Sequence, residues 1–249
     1  MKGRAWAGLL AGAFLAAAFT PTKLGAQVVD EDEGWRFAAT PWLWLVNLSG
    51  SLGVLGREVD VEVDTDEIFD ALEFGWMSHW EVGKGRAGFF AQPIIAKLGS
   101  DGTVQVPTVG PTDAEVDLDM TMLDLGGAYR VGGPFEVVGG VRYFGLDTTI
   151  ELEGLGEEGR DVGWWNGFVG GRIRRDFAER WGVLVHADIG FGESETNYMT
   201  QGVLQYRFSP RWGVDFGYKW LHDEVAPEDR RIDWESDMYG AVVGVTFRR

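Results

Sequence analysis

The sequence has no cysteine and three histidines among its 249 residues. Without cysteine no disulfide framework and no thiolate metal site can form. Histidines on unrelated segments give no transition-metal ligand pattern. Beyond the N-terminus no apolar run comes near the ~20 residues of a spanning helix, so any membrane residence must come from strands. Basic residues are also few: 22 Lys and Arg stand against 39 Asp and Glu. That imbalance argues against nucleic acid and anionic surfaces as partners.

The first 26 residues read as a signal peptide. Lys2 and Arg4 form a basic start, Ala5–Phe19 is apolar, and Leu24-Gly25-Ala26 places a small residue before Gln27. The apolar run is too short for a spanning anchor. Export is expected, with residues 27–249 as one domain of 223 residues (249 less 26). Its basic residues fall to 19 (22 less Lys2, Arg4 and Lys23) against 39 acids, a net charge of about −20.

What the sequence does have is glycine, 37 residues, and tryptophan, 12, set in alternating runs. Between Leu204 and His222, Leu204, Tyr206 and Phe208 alternate with Gln205 and Arg207. After Ser209-Pro210-Arg211, the residues Trp212, Val214, Phe216, Tyr218 and Trp220 alternate with Gly213, Asp215, Gly217 and Lys219. This is a hairpin with one large apolar face and one of glycine and charge. Repeated around the chain, the pattern predicts an all-β fold, a closed antiparallel up-and-down transmembrane β-barrel. Its apolar face meets lipid and its polar face lines the lumen.

Turns of two kinds alternate. Short ones fall at Gly83–Gly85, Gly132–Pro134, Ala178–Arg180 and Ser209–Arg211; longer acidic ones fall at Gly99–Ala114, Glu153–Asp161, Gly192–Thr196 and Asp223–Asp233. Barrels of this class keep short turns on the periplasmic side and long loops outside. The strands expected are Trp35–Leu48, Glu73–Val82, Arg86–Leu98, Val116–Val131, Phe135–Leu152, Val162–Phe177, Trp181–Phe191, Asn197–Phe208, Trp212–His222 and Trp234–Phe247. That makes about 10, with 12 or 8 as alternatives. Within Ser49–Leu72, Asp66–Leu72 reads as a short helix, either beside an external hairpin arm or folded into the barrel mouth. A spanning Arg57–Val63 with an unrecognised partner would raise the count to 12.

Parity points Val183, Val185, Ala187, Ile189 and Phe191 outward, and Leu184, His186, Asp188 and Gly190 inward. It also sends His79, Glu81, Arg130, Arg142, Arg172, Arg174, Gln201, Gln205, Arg207, Asp215 and Lys219 inward. Charges of both signs confined together can pair, which burial would otherwise make costly. In Val116–Val131 the parity slips between Met122 and Leu123, which suggests a bulge. Trp212 and Trp220 lie eight residues apart, roughly 26 Å along a strand and roughly 20 Å of height at a tilt of about 40°. That matches an apolar band with an aromatic at each rim.

The C-terminal run Tyr239–Phe247, with Gly240, Val243, Val245 and Phe247, resembles the terminal strand that the barrel-assembly machinery reads in outer-membrane proteins. Arg248-Arg249 after the aromatic depart from that pattern. The mature chain resembles a group of uncharacterised bacterial outer-membrane β-barrel proteins through Thr40–Leu45, Asp64–Leu72 and Gly140–Phe144. The resemblance implies the cell outer membrane of a Gram-negative bacterium, with membrane lipid, lipopolysaccharide and the assembly machinery as partners. It carries no activity.

Three histidine–acid pairs invite chemistry. His186-x-Asp188 and His79-x-Glu81 each place both side chains on one strand face, where a carboxylate can orient an imidazole; no nucleophile accompanies either. His222-Asp223 lies at an outer strand end, where ten-stranded proteases of the omptin type carry their acid and histidine. Adjacent strand residues point to opposite faces, so this pair departs from that geometry. Asp113, Glu115, Asp117 and Asp119, or Glu224, Glu228 and Asp229, can offer oxygen ligands to Ca²⁺ or Mg²⁺ but follow no loop motif and read as a solvated acidic surface. Gly99-x-Asp101-Gly102 lacks a phosphate-loop context, and no cofactor is expected. The expectation is a non-enzymatic structural or binding protein with a charge-plugged lumen. The alternatives are a narrow, porin-like pore and a lipid-modifying or proteolytic enzyme.

Overall fold

In the computed structural model, which describes residues 34–54, 57–106, 110–152, 156–225 and 232–249, the alternating runs form one closed sheet. Its strands are β1 (Trp35–Val54), β2 (Arg57–Val63), β3 (Leu72–Lys84), β4 (Ala87–Val106), β5 (Gly110–Gly132) and β6 (Phe135–Leu152). They continue with β7 (Gly156–Asp176), β8 (Trp181–Gly192), β9 (Thr196–Arg207), β10 (Trp212–Val225) and β11 (Ile232–Arg248), with one helix, α1 (Thr65–Ala71). From β3 to β11 each strand pairs antiparallel with the next, and β1 pairs with both β3 and β11 to close the barrel at ten strands. The signal peptide expected at 1–26 lies outside the described residues.

β2 is not an eleventh stave. It pairs with the far half of β1, from Leu48↔Val63 to Val54↔Arg57, while β3 takes the near half, from Trp35↔Lys84 to Pro41↔Ser78. The segment is a hairpin arm above the start of β3, so the count stays at ten. α1 joins the two. Thr65 Oγ1 donates to Val46 O (2.9 Å), Thr65 N donates to Asn47 Oδ1 (3.0 Å), and Ile68 packs onto the apolar cluster of the lumen.

At one end the turns are short. β3–β4 and β5–β6 turn through two residues each, Gly85-Arg86 and Gly133-Pro134. Gly85 and Gly133 have φ of 56° and 52°, a left-handed conformation that glycine adopts without steric cost. At the other end the hairpins run longer than expected. β4 and β5 stay paired out to Val106↔Gly110, so much of the stretch 99–114 is strand and not loop.

The expected bulge at Met122/Leu123 is absent. β5 and β6 keep register from Ala114↔Leu152 to Arg130↔Glu136, and the shifts fall at Arg130/Gly132 and at Leu72/Phe74. The apparent slip came from supposing that inward positions are polar. Met122 faces inward because the long-hairpin half of the lumen is itself apolar.

The outward face carries two aromatic rings. Phe135 and Tyr143, Tyr206 and Tyr198, Trp212 and Trp220, and Phe247 and Tyr239 each stand eight residues apart on β6, β9, β10 and β11. Register sets Trp212 beside Phe247 and Trp220 beside Tyr239. Between the rings lie exposed apolar residues such as Val137, Leu204, Phe216 and Val243. A belt of this kind is suited to a bilayer, with amphipathic rings at both interfaces.

The β1–β11 seam that closes the barrel brings backbones close at glycines such as Gly50 and Gly240. A Cβ on Gly240 would sit 1.8 Å from Leu45 O across the β1–β11 seam, whereas nothing lies within 4 Å of one built on Gly202. Gly240→Ala is therefore expected to cost about 1–3 kcal/mol through overpacking, and Gly202→Ala little. The temperature at which the folded gel band converts to the unfolded one measures both.

Candidate functional site

Inward-pointing side chains fill the lumen in layers. Nearest the short turns, Arg172 donates to Glu136 Oε2 (2.6 Å) and to both oxygens of Glu81 (3.2 and 3.3 Å); Arg174 Nη2 donates to Glu81 Oε2 at 2.6 Å. Arg130 stands 3.6 Å from Glu136. The Arg172 guanidinium also lies 5.7 Å from the Phe90 ring centre, a cation–π distance.

Above it, Arg142 ties three strands together. Its Nε and Nη2 fork the Asp124 carboxylate (2.8 and 3.1 Å), Nη1 and Nη2 reach Asp188 (3.2 and 3.3 Å), and Nη1 donates to Asn197 Oδ1 (2.9 Å). Arg142, Asp124 and Asp188 are all buried. Bidentate guanidinium–carboxylate pairing is what makes such burial tolerable. Lys219, 1% exposed, sets its ammonium 5.3 and 4.9 Å from the ring centres of Trp42 and Trp44.

Toward the long hairpins the lining turns apolar. Trp44, Ile94, Phe144, Trp164 and Leu221 cluster there with Met122, Met199 and Met238, and Met77 and Met120 pack against them. Every methionine after Met1 is thus in or against this layer. Flexible thioethers suit the filling of irregular space between aromatic rings. Embedded beside it, Asp223 accepts from Trp164 Nε1 (2.7 Å), Ser194 Oγ (2.6 Å) and Asn197 Nδ2 (3.0 Å). Asn166 and Ser194 bond each other in both directions, Nδ2 to Oγ at 2.7 Å and backbone N to Oδ1 at 3.0 Å. Ser194 lies in the turn between β8 and β9, so these bonds fasten that turn inward.

No family model matches this sequence, and no curated protein matches it either. Solved structures do match. The outer-membrane protease OmpT of Escherichia coli aligns over 90% of this chain and 99% of its own with a TM-score of 0.50. The chain has the fold of the bacterial outer-membrane β-barrels. Identity with OmpT is 9%, so the likeness is one of fold. The translocator domain of the autotransporter NalP from Neisseria meningitidis aligns at a TM-score of 0.44 and 14% identity, over 96% of this chain and 95% of that one. The attachment invasion locus protein Ail of Yersinia pestis aligns at 0.39 and 10%, over 87% and 99%.

Within this fold the histidine–acid pairs are spoken for. His79 Nε2 is 3.5 Å from Glu81 Oε2, but that carboxylate already holds two arginines. His186 Nε2 is 3.1 Å from Asp188 Oδ2, close enough for charge attraction yet not aligned as a hydrogen bond, and Asp188 is held by Arg142. His222 faces outward, stacked on Tyr198 with Nδ1 3.0 Å from Asp237 Oδ1, while Asp223 faces the lumen. The two therefore lie on opposite faces, as strand geometry requires.

Of the proposed Ca²⁺ ligands, Asp113, Glu228 and Asp229 have side chains outside the described set. Asp117 and Asp119 lie on the outer face of β5, where Asp119 pairs with Lys97. Among the described residues no group of three or more His, Asp or Glu is arranged for a metal ion.

The inward set read from the sequence omitted Asp124, Glu136, Asn166, Asn197 and Asp223. Parity reaches all five. Asp124 is in phase with Arg130, Glu136 with Arg142, Asn166 with Arg172, Asn197 with Gln201 and Asp223 with Lys219. Their pairing with one another has no sequence signal, because the partners sit on different strands.

Proposed function

We propose that this chain is an integral outer-membrane protein with a filled lumen, serving a structural or binding role. Its two aromatic rings seat it in lipid, its short turns face the periplasm, and its long acidic hairpins face outward toward lipopolysaccharide. The strand Tyr239–Phe247 presents the assembly signal. One observation carries the filled-lumen reading: Arg142 spans between β5, β8 and β9, 2% exposed, directly beside a layer of Trp, Phe and Met. Ten strands stand near the barrel size whose interior side chains fill completely. The same pairings leave the carboxylates near His79 and His186 committed to arginines, which supports a role without catalysis.

Refolded protein in planar bilayers is expected to give no stable single-channel steps. Regular steps that Arg142→Gly enlarges would instead favour a narrow pore, with Arg142 at its constriction. Turnover of lipid or peptide by the wild type that His186→Ala abolishes would favour an enzyme. Heat-modifiable gel migration and co-fractionation with outer membrane check the location, and a soluble periplasmic pool would count against it.

A further inference from the structure

Seven buried side-chain polar atoms among the described residues lack a hydrogen-bond partner. Four of them, Trp42 Nε1, Arg174 Nε, His186 Nε2 and Asp215 Oδ1, belong to residues lining a single cavity, and of these His186 Nε2 has Asp188 Oδ2 3.1 Å away. Native proteins leave few such groups unpaired, because each costs stability. The other three of the four, from β1, β7 and β10 around one space, point to an occupant.

The four side chains are held in place by their other contacts. Asp215 Oδ2 accepts from Thr246 Oγ1 at 2.5 Å, and Thr246 is itself 2.7 Å from Thr40 Oγ1, which leaves Oδ1 over. Arg174 spends Nη2 on Glu81 and keeps Nε. The Trp42 ring lies under the Lys219 ammonium and 6.4 Å from the Trp44 ring. His186 packs edge-on to Phe90. The cavity therefore has fixed walls before anything enters it.

Its unmet needs are specific. Arg174 Nε and Trp42 Nε1 are N–H donors and call for an oxygen acceptor, whereas Asp215 Oδ1 is an acceptor and calls for a donor. Glu81 lines the same space and already holds Arg172 and Arg174 through their Nη atoms, so an oxyanion is called for by Arg174 Nε and Trp42 Nε1, and an ammonium by Asp215 Oδ1. The free volume is about 80 Å³, room for on the order of six water-sized positions. Drug-sized pockets are several times larger. Side-chain exposure rises from 8% at His186 to 34% at Arg174, so the cavity opens toward the short turns.

We propose that this cavity binds a small zwitterion, a free amino acid of two or three carbons, admitted from the short-turn end. The site rests on the filled-lumen reading in one respect: solute enters and leaves by the same end, since the Arg142 layer closes the other.

The test is calorimetric titration of the refolded mature protein with glycine, with acetate and with methylammonium. Glycine is expected to bind at least about tenfold more tightly than either half-molecule. Asp215→Asn should erase the preference for glycine over acetate, and Trp42→Phe should weaken glycine and acetate alike. Equal affinity for acetate and glycine would overturn the zwitterion assignment, and no saturable binding by any of the three would overturn the site. The three-ligand comparison on unaltered protein stands even if a variant fails to fold. A conducting barrel that binds glycine would sink the filled lumen, and with it entry by a single end, but not the site; a silent one that does not bind would sink only the pocket.

Discussion

Arg142→Met is expected to cost about 3–5 kcal/mol of barrel stability, because it leaves Asp124 and Asp188 buried without their cation. Both carboxylates are nearly inaccessible to water, Asp188 wholly so at its side chain. The remaining cation in that layer, Lys219, lies against the faces of Trp42 and Trp44. Asn197 would lose the donor to its Oδ1 while keeping its bond to Asp223, so damage should spread toward the β8–β9 turn. Urea unfolding in lipid, followed by tryptophan fluorescence, measures the loss. Adding Asp124→Asn and Asp188→Asn to Arg142→Met should recover part of it, since neither carboxylate is then buried without its cation, but not all, because Lys219, 1% exposed, loses the two acids of its layer. A single variant as stable as wild type would show that this network is not under the strain its burial implies.

Phe216→Arg is expected to cost about 2–4 kcal/mol, the range for an arginine on the lipid face at the midplane. Phe216 stands halfway between Trp212 and Trp220 and is half exposed on the outer surface. An arginine there must bury its guanidinium in hydrocarbon or snorkel past a full half of the belt. At the adjacent Gly217 the result should differ in kind. A Cβ there would lie 2.3 Å from Gly202 O, so even alanine acts by crowding and its effect should persist in detergent of any chain length. The cost of Phe216→Arg should shrink in thinner bilayers, where the midplane lies closer to water. An arginine tolerated at 216 in every lipid would remove the belt from its proposed place.

Much of this architecture was legible without coordinates. The facing of β8 and β10 follows from a backbone that turns each successive side chain over, and Val183 to Phe191 and Trp212 to Trp220 point as that rule says. Turn length separated the two ends, because two-residue turns need glycines such as Gly85 and Gly133. Errors arose where a rule about environment replaced a rule about backbone. Treating inward positions as polar turned Met122 into a false bulge, and treating acidic residues as loop cut β4 and β5 short of their paired length. The Arg57–Val63 segment reads from sequence as part of an external hairpin arm, with a spanning stave as the alternative, and its pairing with the far half of β1 decides for the arm.

The candidate site divides the same way. That Arg142, Arg172, Lys219 and His186 face the lumen is a local property of each strand, so the sequence alone determined it. Which acid each one meets is not local. Asp124 lies 18 residues from Arg142 and Asp188 lies 46 away, and Glu81 lies 91 from Arg172. Those distances close only once strand number, tilt and register set the barrel's width and stack particular residues at one height. The sequence by itself thus determined that there is a barrel wall, with an outer apolar face and an inner face bearing charge. The tertiary structure decided that the charges pair, that tryptophan and methionine fill the far half of the interior, and that a few donors and one carboxylate oxygen are left facing a small cavity. Period-two alternation is carried by each strand alone, whereas contact across the lumen is carried by the closure of all ten.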